Sequence, residues 1–242
     1  MKRTVLVTGA TGTLGRDVVA VLRERGHDVR GLSRSKPGYV HGDLLTGAGI
    51  DEALRGVDVV VHAATDGRRD VAAAGKLIEA MRRAPGKPEL VFVSIVGVDR
   101  IPFGYYNAKV AIEKMVAEYG GTSFRASQFH DLVLTIAKGM TRLPLVGFYP
   151  AFDLRPVEVH DVAVRLAEIV EGELPATPAD LSGPQRRSAR DLWRVYLGRA
   201  GKRRLLIPVR LPGKAFRALR GGAGTGPGGG TGTWEEYLAR KL

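Results

Sequence analysis

The chain has 242 residues, 44% of them hydrophobic and 26% charged, an ordinary balance for a folded protein with a substantial core. It contains no cysteine, which excludes disulfides, thiolate nucleophiles and cysteine metal sites. The formal charge of +12 is uneven: from residue 181 onward 14 Lys/Arg stand against 3 Asp/Glu, whereas the first 180 residues hold 23 against 22.

Such a basic region suits an acidic partner, an anionic ligand or simply a solvated surface. No nucleic-acid-binding signature accompanies it, so nucleic acid is not expected. Met1-Lys2-Arg3 precedes an apolar run too short for a signal-peptide core. No stretch approaches the length of a membrane span. A cytoplasmic protein without membrane contact is the expectation.

Taken in order, Thr4–Thr8 reads as a strand and Leu14–Arg25 as a helix, its apolar residues at helical spacing and its end marked by Gly26. Asp28–Leu32 and Tyr39–His41 read as strands, Ile50–Leu54 as a brief helix and Val57–Ala63 as a buried strand. The helix Val71–Arg83, the strand Leu90–Val96, the helix Tyr106–Tyr119 and the strand Ser123–Ser127 follow. Short apolar strands alternating with helices predict βαβ units and a doubly wound, Rossmann-like parallel sheet, an α/β fold.

Beyond residue 130 the pattern loosens, although Val159–Glu171, Ala189–Ala200 and Trp234–Lys241 read as helices. The expected organisation is a single nucleotide-binding domain. Its residues 1–130 form the core, and residues 131–242 mainly a smaller, mixed C-terminal substrate lobe. Within that lobe GGAGTGPGGGTG, residues 221–232, has almost no apolar side chain to offset its ordering entropy. It is expected to be a mobile loop, with an active-site lid as the alternative.

The stretch TGATGTLGR sets Gly9, Gly12 and Gly15 between a strand and a helix. A turn this tight needs residues without a Cβ, and it points the first amides of the helix at an anion. Gly9, Thr11, Gly12, Thr13, Leu14 and Gly15 are therefore expected to bind the diphosphate of a dinucleotide. The end of the second strand, VRGLSRSK, has no carboxylate for a ribose hydroxyl; it has Ser33 and Arg34. A guanidinium beside a hydroxyl suits a 2′-phosphate, which selects NADP(H). The alternative is an exposed loop arginine.

TGATGTLG, the strand-end HAAT and SIVGVDRIPFGYYNAKVAIEK resemble the atypical short-chain dehydrogenases/reductases, and most closely the NmrA-like NAD(P)H-binding proteins of bacteria. FRASQFHD, RPVEVHDVA and the terminal Trp-Glu-Glu segment are similar to that group as well. The resemblance implies that Asp43 reads the adenine, unless it is an ordinary turn aspartate. Ala63, Ala64 and Thr65 would line the cofactor groove, and the backbone at Ser127, Gln128 and Phe129 would meet the carboxamide. It also implies a Tyr-x-x-x-Lys pair in Tyr105 and Lys109, with Ser94 nearby. The phenol would give a proton to the substrate oxygen, the lysine would lower its pKa and hold the ribose, and the serine would hold the same oxygen.

Lys109 shares a helix line with Ile112 and Val116 and so points inward; a surface pair with Glu113 is the competing arrangement. Tyr106 rivals Tyr105. His130 would face the substrate unless it is structural, and Phe148 and Tyr149 belong to an apolar substrate wall, Pro144–Tyr149. Asp161 is expected to cap a helix. The five histidines lack metal-site spacing, so no metal is expected.

Two functions remain open on these grounds. One is an NADPH-dependent reductase of a small carbonyl, quinone or conjugated ene-type substrate. The other is a non-catalytic NADP(H)-binding redox sensor or scaffold, whose protein partner would meet the basic C-terminal region, Arg186, Arg187 and Arg190 included. A homodimer is compatible with either.

Overall fold

The computed structural model describes residues 1–175 and 177–242. The chain forms two compact units. The first comprises Met1–Ser94, Gly104–Phe124 and Val162–Ala179; the second comprises Ile95–Phe103, Arg125–Asp161 and Asp180–Leu242. The chain passes from one unit to the other several times.

In the first unit, strand β1 (Thr4–Thr8) leads through the glycine turn into helix α1 (Thr13–Glu24), then β2 (Asp28–Ser33), β3 (Val40–His41) and the short α2 (Ile50–Ala53). Strand β4 (Val59–His62), helix α3 (Asp70–Arg83), β5 (Glu89–Ile95), α4 (Gly104–Tyr119) and β6 (Thr122–Ala126) follow. The six strands lie in the order β3-β2-β1-β4-β5-β6. Pairings β1–β2, β2–β3, β1–β4 and β4–β5 are all parallel. Val5 stands opposite both Val29 and Val59, so β1 is buried on both edges and both faces, which explains its unbroken apolar run.

The chain builds outward from β1 in one direction and from β4 in the other, which puts the topological switch point between the C-terminal ends of these two strands. Leu6, Val60 and Phe92 from the sheet, Leu77 and Met81 from α3, and Ile112 and Val116 from α4 form the core behind it.

The second unit contains α5 (His130–Met140), β7 (Val146–Pro150), β8 (Asp153–Leu154), β9 (Arg187–Ser188), α7 (Ala189–Arg199), β10 (Leu205–Val209), α8 (Lys214–Arg220) and α9 (Trp234–Lys241). Helix α6 (Val159–Glu171) begins here, and from Val162 onward its residues belong to the first unit. β7 pairs with β10 in parallel and β8 with β9 antiparallel, two small two-stranded sheets. The core is aromatic: Trp234 and Tyr237 stack with centroids 5.6 Å apart, and the Trp234 indole donates to Leu192 O at 3.0 Å. Among the described residues no helix is long and apolar enough to cross a membrane.

The glycine segment 221–232 has defined partners. Ser182 exchanges bonds with it: Ser182 N donates to Gly228 O (3.0 Å), Gly228 N to Ser182 Oγ (2.7 Å) and Gly230 N to Ser182 O (2.8 Å). Asp161, expected as a helix cap, instead accepts from Thr231 N, Thr231 Oγ1 and Gly232 N at 2.7, 2.8 and 3.0 Å. Backbone hydrogen bonds here supply the offset to ordering entropy that apolar side chains cannot.

Candidate functional site

The C-terminal ends of β1, β2 and β4 surround a groove of about 330 Å³ in the first unit. Gly9, Thr11 and Gly12 form its floor, Ser33 and Arg34 one end, and Asp43 with Leu44 and Leu45 the side beside β3. His62, Ala63, Ala64 and Thr65 form the opposite wall. Nine residues predicted for nucleotide binding thus share one cavity.

The three glycines have different reasons. Gly9 has φ +68, and a Cβ there would lie 2.7 Å from the Ala64 backbone, so it lets β1 and β4 close up at the switch point. A Cβ on Gly15 would sit 2.1 Å from Gly9 O, so Gly15 lets the helix fold back onto its own turn. Gly12 has an ordinary φ of −77, and its Cβ would approach only Gly9 O, at 3.2 Å. Fold geometry opposes a side chain there far less than at Gly9 or Gly15, though the contact with Gly9 O is tight. It is the N-cap of α1, and no side chain caps this helix, which has no acidic residue in its first turn. The first-turn amides of α1 therefore remain available to an anion, and the bare Gly12 lets it approach. Thr13 and Leu14 begin α1; Thr13 is exposed, whereas Leu14 is buried and anchors the helix.

Ser33 Oγ accepts from Lys36 N at 3.1 Å and so shapes the turn that presents Arg34. Among the described residues Arg34 is exposed and forms no ion pair, whereas Lys36 lies over the Tyr39 ring at 5.3 Å. Asp43 Oδ1 accepts from Leu45 N at 2.8 Å, which is the turn-aspartate arrangement, in the groove wall.

Lys109 is buried, as its helical spacing predicts. Its ammonium lies 3.9 Å from Asp70 Oδ2 and over the faces of Phe92 and Tyr105, at 4.8 and 5.8 Å. Burial pushes its pKa down, and the charge of Asp70 pushes it back up. Asp70 also accepts from Thr65 Oγ1 at 2.8 Å and from Asp66 N. Tyr105 is 42% exposed, with its hydroxyl 3.4 Å from Thr65 Oγ1. Tyr105, Thr65, Asp70 and Lys109 thus form one chain of contacts along the groove wall. Ser94 is buried, and among the described residues its hydroxyl has no hydrogen-bond partner.

Asp70 and His62 are the members that sequence reading misses. Asp70 stands one residue before the predicted start of α3, where a carboxylate passes for a helix-start residue. His62 lies inside HAAT, hidden in an apolar run; burial first and the Lys109 charge second lower its pKa to about 3, so its ring is neutral. Thr8 Oγ1 meets its Nδ1 at 2.7 Å.

The remaining predicted residues lie in the second unit. The backbone groups around Gln128 and Phe129 are engaged there: Ser127 N donates to Leu181 O (2.9 Å), Val157 N to Gln128 O (3.0 Å) and Val133 N to Phe129 O (3.2 Å). His130, expected to face substrate, is 1% exposed and packs against both Trp234 and Tyr237 at 5.6 and 5.1 Å, with Nδ1 3.6 Å from Glu158. The contact from His130, opposed by burial and aided by Arg240, holds Glu158 below the usual carboxylate range. This is a packed structural histidine. Phe148 and Tyr149 do not line the apolar cavity of this unit; their neighbours Pro150, Ala151 and Phe152 do. Along β7 alternate side chains face opposite ways, so an apolar run does not make one wall. Among the described residues no cluster of three or more His, Asp or Glu is placed to hold a metal.

Residues 1–135 match the NmrA-like family. The crystal structure of an NADPH-dependent quinone oxidoreductase from Escherichia coli, complexed with NADPH, superposes with a TM-score of 0.80 at 16% identity, covering 98% of this chain and 99% of that one. The triphenylmethane reductase of Citrobacter sp., complexed with NADP(H), gives a TM-score of 0.80 at 14% identity, covering 99% and 100%. At these identities the likeness is one of fold. An uncharacterised protein of Mycobacterium tuberculosis is 29% identical over 127 residues, 48% of this chain but only 14% of the mycobacterial protein. The chain therefore spans a small part of that relative's length.

Proposed function

The chain belongs to the NmrA-like family, and from that premise we propose that it is an NADPH-dependent reductase of a small carbonyl, quinone or conjugated ene-type substrate. One observation carries the reading: an uncapped helix N-terminus and an unpaired arginine flank the same groove. The amides of α1 suit a diphosphate and Arg34 a 2′-phosphate; among the described residues no side chain caps the one and no carboxylate pairs with the other. The bound nicotinamide would supply a hydride. Tyr105 would give its hydroxyl proton to the substrate oxygen, and Lys109, fixed by Asp70, would favour the phenolate left behind. Ser94, with its unpartnered hydroxyl, would hold that oxygen.

The test is a parallel titration with NADPH and NADH, followed by nicotinamide fluorescence, and then turnover by Tyr105→Phe. NADPH should bind at least about tenfold more tightly than NADH, the worth of one charge-assisted contact. Tyr105→Phe should lower turnover about a hundredfold or more while leaving NADPH affinity unchanged. Binding of neither cofactor would overturn the reductase.

The exposure of Tyr105 favours keeping the sensor reading beside it. Its proposed partner surface is narrower than the basic composition implies. Arg187 is bound to Asp191 and Glu235 at 2.6 and 2.5 Å, and Arg186 to Asp153 at 3.0 Å. Full activity in Tyr105→Phe, with partner affinity that differs between NADPH and NADP+, would favour the sensor.

A further inference from the structure

Strands β7 and β10 form a two-stranded sheet whose two faces are both apolar. Tyr149 and Leu206 pack against the aromatic core of the second unit. Side chains alternate along a strand, so Phe148, Leu205 and Ile207 face the other way. Register sets Leu205 opposite Val146 and Ile207 opposite Phe148 on that outer face. Leu205 is 68% exposed and Ile207 37%. Leu145, whose carbonyl accepts from Leu205 N at 3.0 Å, is 79% exposed. Leu143 and Leu211, just outside the two strands, are exposed as well. A single exposed leucine needs no explanation, but five large apolar side chains gathered on one small sheet do.

The same segment is cationic. From Leu192 to Trp234 the chain has nine Lys/Arg and no Asp/Glu. Lys202, Arg203 and Arg204 lead directly into β10, and Arg210 follows it. Eight of the nine are exposed and Arg204 is half-buried. Among the described residues none of the nine forms an ion pair, whereas Arg186, Arg187 and Arg240 of the same unit do.

We propose that the outer face of the β7–β10 sheet docks on the surface of an anionic lipid bilayer. The two features together select this partner. A second copy in a twofold contact would set an unpaired cationic surface against itself, which is unfavourable. A nucleic acid or a purely acidic surface takes up the cations and leaves the leucines in water. An anionic bilayer meets both: Leu145 and Leu205 enter the apolar side of the headgroup boundary, while the lysines and arginines extend to the phosphates. The sequence expectation of no membrane contact rests on the lack of an apolar span, which a surface contact does not need.

The experiment is co-sedimentation of the full chain with vesicles. One set is phosphatidylcholine alone, and the other mixes in phosphatidylglycerol at about one lipid in four, so that only the surface charge differs. The chain should bind the mixed vesicles at least about tenfold more tightly than the neutral ones. Leu145→Ser combined with Leu205→Ser should weaken mixed-vesicle binding about tenfold, through lost apolar burial at unchanged charge. Arg203→Gln with Arg210→Gln should weaken it about tenfold or more, whereas Lys2→Gln with Lys114→Gln, the same loss of charge in the first unit, should change it less than about twofold. All six side chains are exposed, so the variants should keep the fold. No sedimentation with mixed vesicles, or equal sedimentation with both sets, would overturn the proposal. Undiminished binding in the serine pair would overturn it too, leaving only adsorption of a basic protein. A dimer in size-exclusion chromatography that the serine pair dissociates would assign the face to a second copy instead.

Discussion

Two glycine-rich stretches of this molecule look alike in composition and differ in what approaches them. In the turn of residues 9–15, Gly9 and Gly15 are demanded by the chain's own backbone, yet Gly12 is crowded by nothing nearer than 3.2 Å. In the segment 221–232 the glycines lie against the protein's own side chains. A Cβ on Gly228 would sit 2.6 Å from the Arg155 guanidinium, and one on Gly232 would sit 2.6 Å from Glu158 Cβ. Glycine in both places means that something comes close. Only the first stretch leaves one glycine, backed by an uncapped helix, for something outside the chain.

The contrast breaks if exchanging the two glycines has the same effect. Gly12→Val should keep the fold at a small cost in stability, because φ −77 suits any residue while its Cβ comes within 3.2 Å of Gly9 O, and should weaken NADPH binding on the order of a hundredfold through lost amide contacts. Gly228→Ala should leave NADPH binding unchanged and cost about 2–3 kcal/mol, since φ +113 and the Arg155 contact both oppose a side chain. Nucleotide titration reads the first effect. Urea unfolding followed by tryptophan fluorescence reads the second, because Trp193 and Trp234 both belong to that unit.

The same contrast holds for two arginines. Arg34 has no ion pair among the described residues, whereas Arg155 donates to Gly183 O, Pro184 O and Gly226 O at 2.8, 3.1 and 3.3 Å. Arg34→Ser should therefore weaken NADPH by about tenfold to thirtyfold, leave NADH binding nearly as it was and not alter stability. Arg155→Met should do the reverse, costing about 2 kcal/mol as carbonyls lose their donor. Parallel titrations and urea unfolding distinguish the two.

Sequence legibility follows the same division. The parallel sheet was readable because β1, β4 and β5 are short apolar runs closed by a turn or helix, and buried strands leave that mark. Gly12, Arg34 and the inward Lys109 were readable because turn chemistry and helical spacing are local. Asp70 was not, since its contact with Lys109 joins residues 39 positions apart across two helices. β7 and β10 were missed because each carries a proline, and β10 exposed residues as well, which blur the alternation. His130 and Asp161 look chemical in one dimension. Their roles are set by Trp234, Tyr237 and Thr231, which lie about 70 to 107 residues away.

One histidine and one glutamate, one in each unit, extend the comparison to pH. His62 has its pKa lowered from 6.5 to about 3, so between those values the unfolded chain binds a proton that the folded chain refuses. Folding stability should therefore fall as pH drops below 6.5, by up to about 1.4 kcal/mol per pH unit. Glu158 in the second unit is also shifted down, which for an acid favours the charged form: its stabilisation is present above the unfolded carboxyl pKa and is lost as pH falls through its lowered folded value. The two losses occupy different windows. Urea unfolding between pH 7 and 5 should show His62→Gln flatter than the native chain, and Glu158→Gln unchanged in slope there. Equal slopes for native and His62→Gln would mean the ring accepts a proton where it stands.

The smallest effect concerns the helix starts themselves. Helix α9 is capped twice, Thr233 Oγ1 accepting from Glu236 N at 3.3 Å while the Glu236 carboxylate accepts from Thr233 N at 2.9 Å. Thr233→Ala should cost about 1 kcal/mol, readable by tryptophan fluorescence because Trp234 begins the helix. Helix α1 is left without any such cap. Gly12→Ser supplies one and should stabilise the nucleotide-free chain by a few tenths of a kcal/mol, measured by urea unfolding. The same hydroxyl would occupy an amide that the diphosphate uses, so NADPH affinity should fall as stability rises. A chain that gains stability and keeps full NADPH affinity would show that the diphosphate does not use those amides. Opposite signs for the two quantities would mean that α1 forgoes its cap in favour of the ligand.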